Sequence, residues 1–202
     1  MLSSWSKPGY RWDFNRTGAR MVLVMMGVVG AGKTTVGMLL AQKLGWQFAD
    51  ADDFHSRENV DKIRHGIALT DADRAPWLAA LRQAIAAWSA SGTNAVLACS
   101  ALKQAYRDEL GSEGVVFVYL QGSYQLIRQR LHSRHGHFAT ESILKSQLED
   151  LQEPNDAITV EVDKSPEAIV AEIIDKLKSR HLAYPDAAQN DHGTPPERDS
   201  RF

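Results

Sequence analysis

Cysteine is nearly absent from this sequence, in which Cys99 is the only one among 202 residues. A single thiol builds neither a disulfide framework nor a cysteine-rich zinc site. Because Cys99 lies in the apolar run NAVLACSALK, we expect it to fill the core rather than to act as a nucleophile.

An excess of basic residues is also missing, since 23 Lys and Arg stand against 25 Asp and Glu and give a formal net charge of −2. Such a balance does not favour binding to nucleic acid or to anionic lipid, so we predict neither partner. No apolar stretch approaches the ~18 residues that a membrane span needs. We therefore expect a soluble, cytoplasmic protein that acts on small molecules.

The two ends of the chain differ from its middle. Residues 1–20 lack the apolar core of a secretory signal, and residues 180–202 are rich in Pro, Asp, Asn and Gly. Both segments have little to bury, and we expect both to be disordered. A transit peptide, or translation that starts at Met21, are alternatives for the first segment. The remaining 21–179 predict one domain.

Apolar strands alternate with amphipathic helices along this domain. The predicted strands are 21–26, 46–50, 95–99, 115–120 and 157–162, and the predicted helices are 33–44, 56–65, 73–90, 103–110, 123–133, 141–151 and 166–178. Strands that are apolar on both faces indicate a parallel sheet covered by helices on both sides. With right-handed crossovers, the pattern predicts a doubly wound α/β domain.

A glycine-rich segment joins the first strand to the first helix and fits the pattern G-x-x-x-x-G-K-[ST]. In this context the pattern predicts a phosphate-binding loop, whose backbone N–H groups surround the phosphates of a nucleotide. Lys33 would reach the β- and γ-phosphates, and Thr34 would ligate Mg²⁺. The alternative is an ordinary glycine-rich turn. The predicted nucleotide-binding residues here are Gly27, Val28, Val29, Gly30, Ala31, Gly32, Lys33, Thr34 and Thr35.

Acidic residues follow the second strand, in the segment ADADDFH. Strand alternation places Asp50 and Asp52 on the same side, at the carboxyl end where such sheets bind ligands. One carboxylate could hold the water shell of the metal while the other orients an acceptor hydroxyl. A solvated acidic turn or a helix cap explains the same spacing. The strand 95–99 ends without a carboxylate, unlike the second metal-binding strand that is usual in motor and switch NTPases.

Four blocks of the sequence together resemble the gluconokinase family. They are the phosphate loop, DADDFHSRENVDKIRHGIALTDADRAPWL at 50–78, CSALKQAYRDEL at 99–110 and RLHSRHGHF at 130–138. The resemblance extends from about Met21 to Leu177. It implies a three-layer P-loop kinase fold with a central parallel sheet, helices on both faces and a mobile lid at about 130–145. It also implies ATP-dependent phosphorylation of D-gluconate to 6-phospho-D-gluconate, with ATP and Mg²⁺ as cofactors.

Roles for single residues follow from the same resemblance. Asp52 would act as the base toward the acceptor hydroxyl, and Asp50 would lie near the metal. Arg130 would lie by the adenine or its phosphates, and Arg134 would contact the transferring phosphoryl group. With Lys33, the implied catalytic residues are Asp52 and Arg134. A sugar acid also needs basic partners for its carboxylate, and the candidates that would bind substrate beside Asp52 are His55, Arg74, Lys103 and Arg107.

Two alternatives concern the acceptor of the phosphate, and a third question concerns assembly. A kinase of the same fold for another small acceptor, such as shikimate, a nucleoside monophosphate or an adenylylated sulfate compound, would share the phosphate loop. A nucleotide-dependent regulatory module would need no acceptor at all. The apolar stripe with Trp77 and Trp88 packs either inside the chain or against a second subunit, and the resemblance favours a homodimer.

Overall fold

The protein is described here by a computed structural model that covers residues 20–65, 67, 69–133 and 140–183. Its elements, in chain order, are β1 Val22–Met26, α1 Lys33–Leu44, β2 Gln47–Asp50, a 3-10 helix at Ala51–Phe54, α2 Arg57–Arg64, α3 Asp71–Ser91, β3 Ala95–Ala98, α4 Gln104–Leu110, β4 Val115–Gln121, α5 Tyr124–Ser133, α6 Thr140–Asp150, β5 Ile158–Glu161 and α7 Pro166–Ala183. The strands form one parallel sheet in the order β2-β3-β1-β4-β5. The predicted α/β fold is confirmed.

The central strand β1 shows why the sheet is covered on both faces. All five of its residues are buried, and successive side chains point to opposite sides. Leu23 and Met25 join the core under α1, α5, α6 and α7. Val22, Val24 and Met26 join a second core under α3 and α4. The two cores give the three-layer arrangement.

Helix α3 packs its apolar stripe inside the chain. Trp77, Leu81 and Ile85 are buried in the second core, and Trp77 Nε1 donates a hydrogen bond to the carbonyl of Ala51 at 2.7 Å. The helix begins with a capping box, in which the Thr70 side chain and Asp73 each bond the backbone of the other. Of the two predicted arrangements, the structure thus shows packing inside the chain for Trp77.

The parallel order brings the carboxyl ends of the strands to one edge of the sheet. The loop after β1 lies beside the segment after β3, where Gly27 N donates to the carbonyl of Ser100 at 3.3 Å. The acidic segment follows β2 at the same edge. This edge is where ligands bind in folds of this kind.

Other sequence predictions have mixed outcomes. Cys99 is buried as expected, and burial raises the pKa of its thiol to about 12. Helix α7 continues to Ala183, past the predicted domain end at residue 179. The predicted terminal segments, apart from Arg20 and residues 180–183, and the lid residues 134–139 lie outside the described residues. Within the described ranges, no helix is long and apolar enough to cross a membrane.

Candidate active site

The loop between β1 and α1 has a backbone that depends on glycine. Gly27 has φ 139°, and a Cβ atom on it would lie 2.8 Å from the carbonyl oxygen of Leu120. Gly32, directly before α1, has φ 98°. Residues that carry a Cβ atom are strained at such backbone angles. The glycine spacing is therefore a requirement of this loop geometry, in which backbone N–H groups precede a helix N-terminus.

Two polar residues at the start of α1 make side-chain hydrogen bonds at the loop. Lys33 Nζ donates to the carbonyl of Val28 at 3.1 Å, so its ammonium lies over the loop. Thr34 Oγ1 donates to Asp50 Oδ2 at 2.9 Å. The other carboxylate oxygen of Asp50 accepts from the backbone N–H of Asp52 at 3.1 Å. The sequence predicted Thr34 and Asp50 as neighbours of one metal ion, and the structure brings their oxygens together.

These oxygens fit Mg²⁺ in chemical type. A hydroxyl and a carboxylate are hard ligands, and Mg²⁺ is usually held by one or two such groups together with phosphate oxygens and water. Over the described ranges, no cluster of three or more His, Cys, Asp or Glu residues could hold a metal by itself. Thr34 and Asp50 thus suit an ion that arrives with a nucleotide.

Asp52 has an unusual electrostatic environment for a carboxylate. The residue is exposed at the protein surface, but the surrounding protein removes part of the hydration of its carboxylate, which raises its pKa above the ordinary value. The nearby negative charge of Asp50 raises the pKa further. Lys33 and His55 act in the opposite direction. Asp52 is therefore a better proton acceptor than a solvated aspartate, although the sequence argument required no such shift.

A cavity of about 300 Å³ lies on the other side of the loop. It is lined by Gly30, Ala31, Gly32, Thr35, Val36, Arg130, Ser133, Lys164, Pro166 and Ile169. The Arg130 guanidinium donates to the carbonyl of Val162, just after β5. Arg130 and the segment that begins α7 thus meet at the predicted nucleotide loop.

Basic residues of α3 and the start of α4 form one cluster around an acidic residue. Lys103 Nζ lies 2.9 Å from Asp71 Oδ1, and Arg74 Nη1 lies 3.5 Å from the same oxygen. The Tyr106 hydroxyl donates to Asp71 and accepts from Arg74 Nη1 at 3.2 Å. Two of the predicted carboxylate-binding residues, Arg74 and Lys103, therefore already share a carboxylate.

His55, the last residue of the acidic segment, lies against α3. Its ring stacks on Trp77, with centroids 4.8 Å apart and planes 10° apart. Burial lowers the pKa of His55, and Arg74 lowers it too, whereas Asp52 raises it. Its Nδ1 has no hydrogen-bond partner in the part of the chain that the structure describes. A cavity of about 380 Å³ opens beside the ring and is lined by Phe54, His55, Ser56, Glu58, Asn59, Ala72, Asp73, Pro76 and Trp77.

Arg107, also predicted to bind substrate, has a different environment. Only 2% of the residue is exposed. Its guanidinium donates to the carbonyls of Ala101 and Leu102 at 2.9 and 2.8 Å, and to the carbonyl of Gln152 at 2.8 Å. These contacts favour a structural role, and a substrate contact of Arg107 stays a prediction.

Three residues at the site had not been predicted from the sequence. Asp71 and Tyr106 complete the cation cluster, and Gln147 of α6 accepts a hydrogen bond from the backbone N–H of Val29 at 2.6 Å. Asp71 and Tyr106 lie within the blocks that carry the family resemblance, so that resemblance could have indicated them. No local pattern indicated Gln147, which lies 118 residues from its partner. Arg134 lies outside the described residues.

Comparisons with known proteins agree with this geometry. A family model described as shikimate kinase matches residues 29–178. A probable gluconokinase of Xenopus tropicalis is 41% identical over 192 residues, which cover 85% of this chain and all of the relative. A gluconokinase of Gluconobacter oxydans is 44% identical over 157 residues, which cover 75% of this chain and 88% of the relative.

A solved structure gives the same result for the fold. The crystal structure of a gluconokinase from Sinorhizobium meliloti superposes with a TM-score of 0.74 at 38% identity, and the match covers 82% of this chain and 97% of that one. Identities of this size over nearly whole relatives, together with the phosphate loop and its acidic neighbours, show that the chain belongs to the gluconokinase family of P-loop kinases.

Proposed function

We propose that this protein transfers the γ-phosphoryl group of ATP to the 6-hydroxyl of D-gluconate, giving 6-phospho-D-gluconate and ADP. One observation carries the proposal: the nucleotide loop and the acidic segment meet through the bond between Thr34 and Asp50, with Asp52 two residues further on. Relatives named gluconokinase that match most of the chain support gluconate as the acceptor.

The residues of the chain divide the chemistry between them. The acceptor oxygen forms a bond to the γ-phosphorus, the bond between that phosphorus and the bridging oxygen to the β-phosphate breaks, and ADP leaves. Asp52 accepts the proton of the acceptor hydroxyl, which its raised pKa favours. Lys33 and the loop N–H groups stabilise the charge on the phosphates. Such catalysis rests on alignment and charge rather than on covalent chemistry.

Magnesium is the metal that the chemistry of the site favours. Thr34 and Asp50 would hold it, directly or through water, and the bound ion would neutralise phosphate charge during transfer. Arg130 lines the nucleotide-side cavity, which supports a contact with adenine or phosphate. The role of Arg134 on the transferring phosphoryl group stays a prediction, as do a homodimer and a cytoplasmic location.

The carboxylate of gluconate would bind at the cluster of Arg74 and Lys103. Both cations already contact a carboxylate oxygen of Asp71, which supports the view that their geometry suits such a group. Asp71 is 67% exposed on its side chain, so it can rotate into solvent when a substrate carboxylate arrives. His55, stacked on Trp77, would then contact the sugar chain between the cluster and Asp52.

A coupled assay of ADP release tests the proposal directly. We expect turnover that depends on gluconate, with shikimate and AMP giving less than about one hundredth of that rate, because a site built to hydrogen-bond its substrate rejects poor matches strongly. Mass spectrometry of the product would show one added phosphate. Turnover with shikimate or AMP but not with gluconate would contradict the proposal.

A further inference from the structure

We propose that Gln147 is a positioning residue that fixes the phosphate loop and, through α6, couples nucleotide binding to the acceptor site. This inference rests on the proposed function, because it assigns a residue of the same site. It starts from the 2.6 Å hydrogen bond in which Val29 N–H donates to Gln147 Oε1. Val29 lies inside the loop, between Gly27 and Gly30. A change in the orientation of one backbone N–H group there alters the shape of the phosphate-binding loop.

The orientation of the carboxamide follows from hydrogen-bond chemistry. A backbone N–H can only donate, so the atom that faces Val29 must be the oxygen of the amide. The NH₂ group of Gln147 is then free of Val29, and it makes no hydrogen bond to any residue in the described ranges. Two donor hydrogens therefore stand next to the loop, where a phosphate oxygen can accept from them.

The residues that follow Gln147 in the chain contact the acceptor side. Asp150 Oδ1 lies 3.9 Å from Lys103 Nζ, the cation that contacts Asp71. Just after the helix, Gln152 N donates to the carbonyl of Leu102 at 3.0 Å, and Gln152 Oε1 accepts from Gln104 N at 2.6 Å. The last turn of α6 thus contacts the phosphate loop through Gln147 and the acceptor-side segment through Asp150, and the residue Gln152 just after it extends the second contact.

Burial makes α6 a stiff connection rather than a loose one. Leu144, one turn before Gln147, is fully buried in the core under α1 and α7. Phosphate that enters the loop changes the surroundings of Val29 N–H and of Gln147, and the helix transmits the change to Lys103. Gluconate and nucleotide should therefore bind with a measurable coupling that Gln147 carries.

The test compares two variants of Gln147 with a matched control. Gln147→Leu removes the acceptor and the donors, whereas Gln147→Glu keeps an acceptor for Val29 but places a negative charge beside the phosphates. Gln83→Leu makes the same exchange at an exposed site of α3. Calorimetry measures the affinity for gluconate with and without a non-hydrolysable ATP analogue, and the affinity for the analogue alone.

We expect the wild type and Gln83→Leu to show a coupling of about 5-fold or more between the two ligands, and Gln147→Leu to show less than about 2-fold. Gln147→Glu should weaken the binding of the analogue about 10-fold or more by charge repulsion. Gln147→Leu should weaken it by a smaller factor, because that variant loses the NH₂ donors without adding a negative charge. A merely structural glutamine would leave the coupling unchanged, and that result with a normal melting temperature overturns the proposal.

Failure of the proposed function would look different. If the wild type binds no gluconate, the acceptor assignment fails. The contact of Gln147 with the loop can still be tested by hydrogen exchange at the amide of Val29. Hydrogen exchange at that amide should be faster in Gln147→Leu than in Gln147→Glu or Gln83→Leu. Equal exchange rates in all three would overturn the role of Gln147 on their own.

Discussion

The hydroxyl of Thr34 donates to Asp50 Oδ2 at 2.9 Å, across the gap between the phosphate loop and the end of β2. This one contact joins the residue that would ligate the metal directly to the residue that would order its water shell. Thr34 lies in the first turn of α1 and Asp50 is the last residue of β2, and both lie at the carboxyl edge of the sheet. The functional consequences of this arrangement are open to measurement.

Asp50→Asn should lower kcat by roughly 10- to 100-fold and raise the Mg²⁺ concentration needed for half-maximal rate, because residues around a metal site tune its affinity by such factors. Initial rates over a Mg²⁺ series at saturating ATP would measure both effects. Asp53→Asn, an exposed neighbour, is the matched control. An unchanged Mg²⁺ dependence in Asp50→Asn would argue that Asp50 only caps the 3-10 helix, through its bond to Asp52 N.

Asp52→Asn should lower kcat by roughly 10²- to 10⁴-fold with the affinity for ATP nearly kept, because general-base catalysis contributes in that range. In the wild type, Asp52 works only when ionised, so the rate must fall as the pH drops through its pKa. Partial loss of hydration and the charge of Asp50 raise that pKa, which moves the loss of rate to a higher pH than for a solvated aspartate. A pH series of kcat/KM checks the sign.

The same variant separates an enzyme from a regulatory module. A module that binds nucleotide without an acceptor would keep every activity in Asp52→Asn. Calorimetry would then find normal ATP binding, and the assay would find no loss of turnover. The kinase predicts normal binding and a large loss of turnover.

Arg74→Gln should raise the KM for gluconate roughly 10- to 100-fold, since a hydrogen bond to a charged group contributes about 1.5–3 kcal/mol. The KM for ATP should stay within about 2-fold, because Arg74 belongs to the cluster with Lys103 and Tyr106 rather than to the nucleotide-side cavity. Arg82→Gln, at an exposed position of the same helix, serves as the control. Equal effects on both substrates would count against a carboxylate contact.

Arg107→Met should act mainly on stability. The substitution leaves the carbonyls of Ala101, Leu102 and Gln152 without their donor in a buried place, which costs about 2–4 kcal/mol in the free energy of unfolding. Denaturant unfolding measures this loss. The folded fraction should keep a KM for gluconate near the wild-type value, whereas a large rise in KM without loss of stability would restore the predicted substrate contact.

Much of this molecule follows from local patterns in the sequence. The strand and helix order was predictable because apolar runs of strand length alternate with amphipathic segments, as β1 and α1 illustrate. The nearness of Thr34 and Asp50 followed from the parallel sheet, since the carboxyl ends of its strands share an edge. Local patterns, together with the rule for parallel sheets, were enough for these predictions.

Contacts between side chains from distant segments could not be predicted from local patterns. Arg107 carries the charge of a typical surface or ligand-binding residue, yet it is buried, and one of the acceptors of its guanidinium is the carbonyl of Gln152, 45 residues away. Gln147 is one polar residue on an amphipathic helix, and only the assembled fold brings it to Val29. The stack of His55 on Trp77 likewise needs the packing of α3 against the acidic segment.

The rate at which a thiol reagent labels the single cysteine would report how often the fold opens around it. Cys99 directly follows β3, the neighbour of the central strand β1. It is 2% exposed, and its thiol stays protonated at neutral pH. An alkylating dye can therefore label the chain only when this strand opens, and no second thiol gives a background. Gly27 of the phosphate loop donates a hydrogen bond to the carbonyl of Ser100, the residue after Cys99. The labelling rate with and without nucleotide would therefore report how much an occupied phosphate loop suppresses local opening of this part of the sheet.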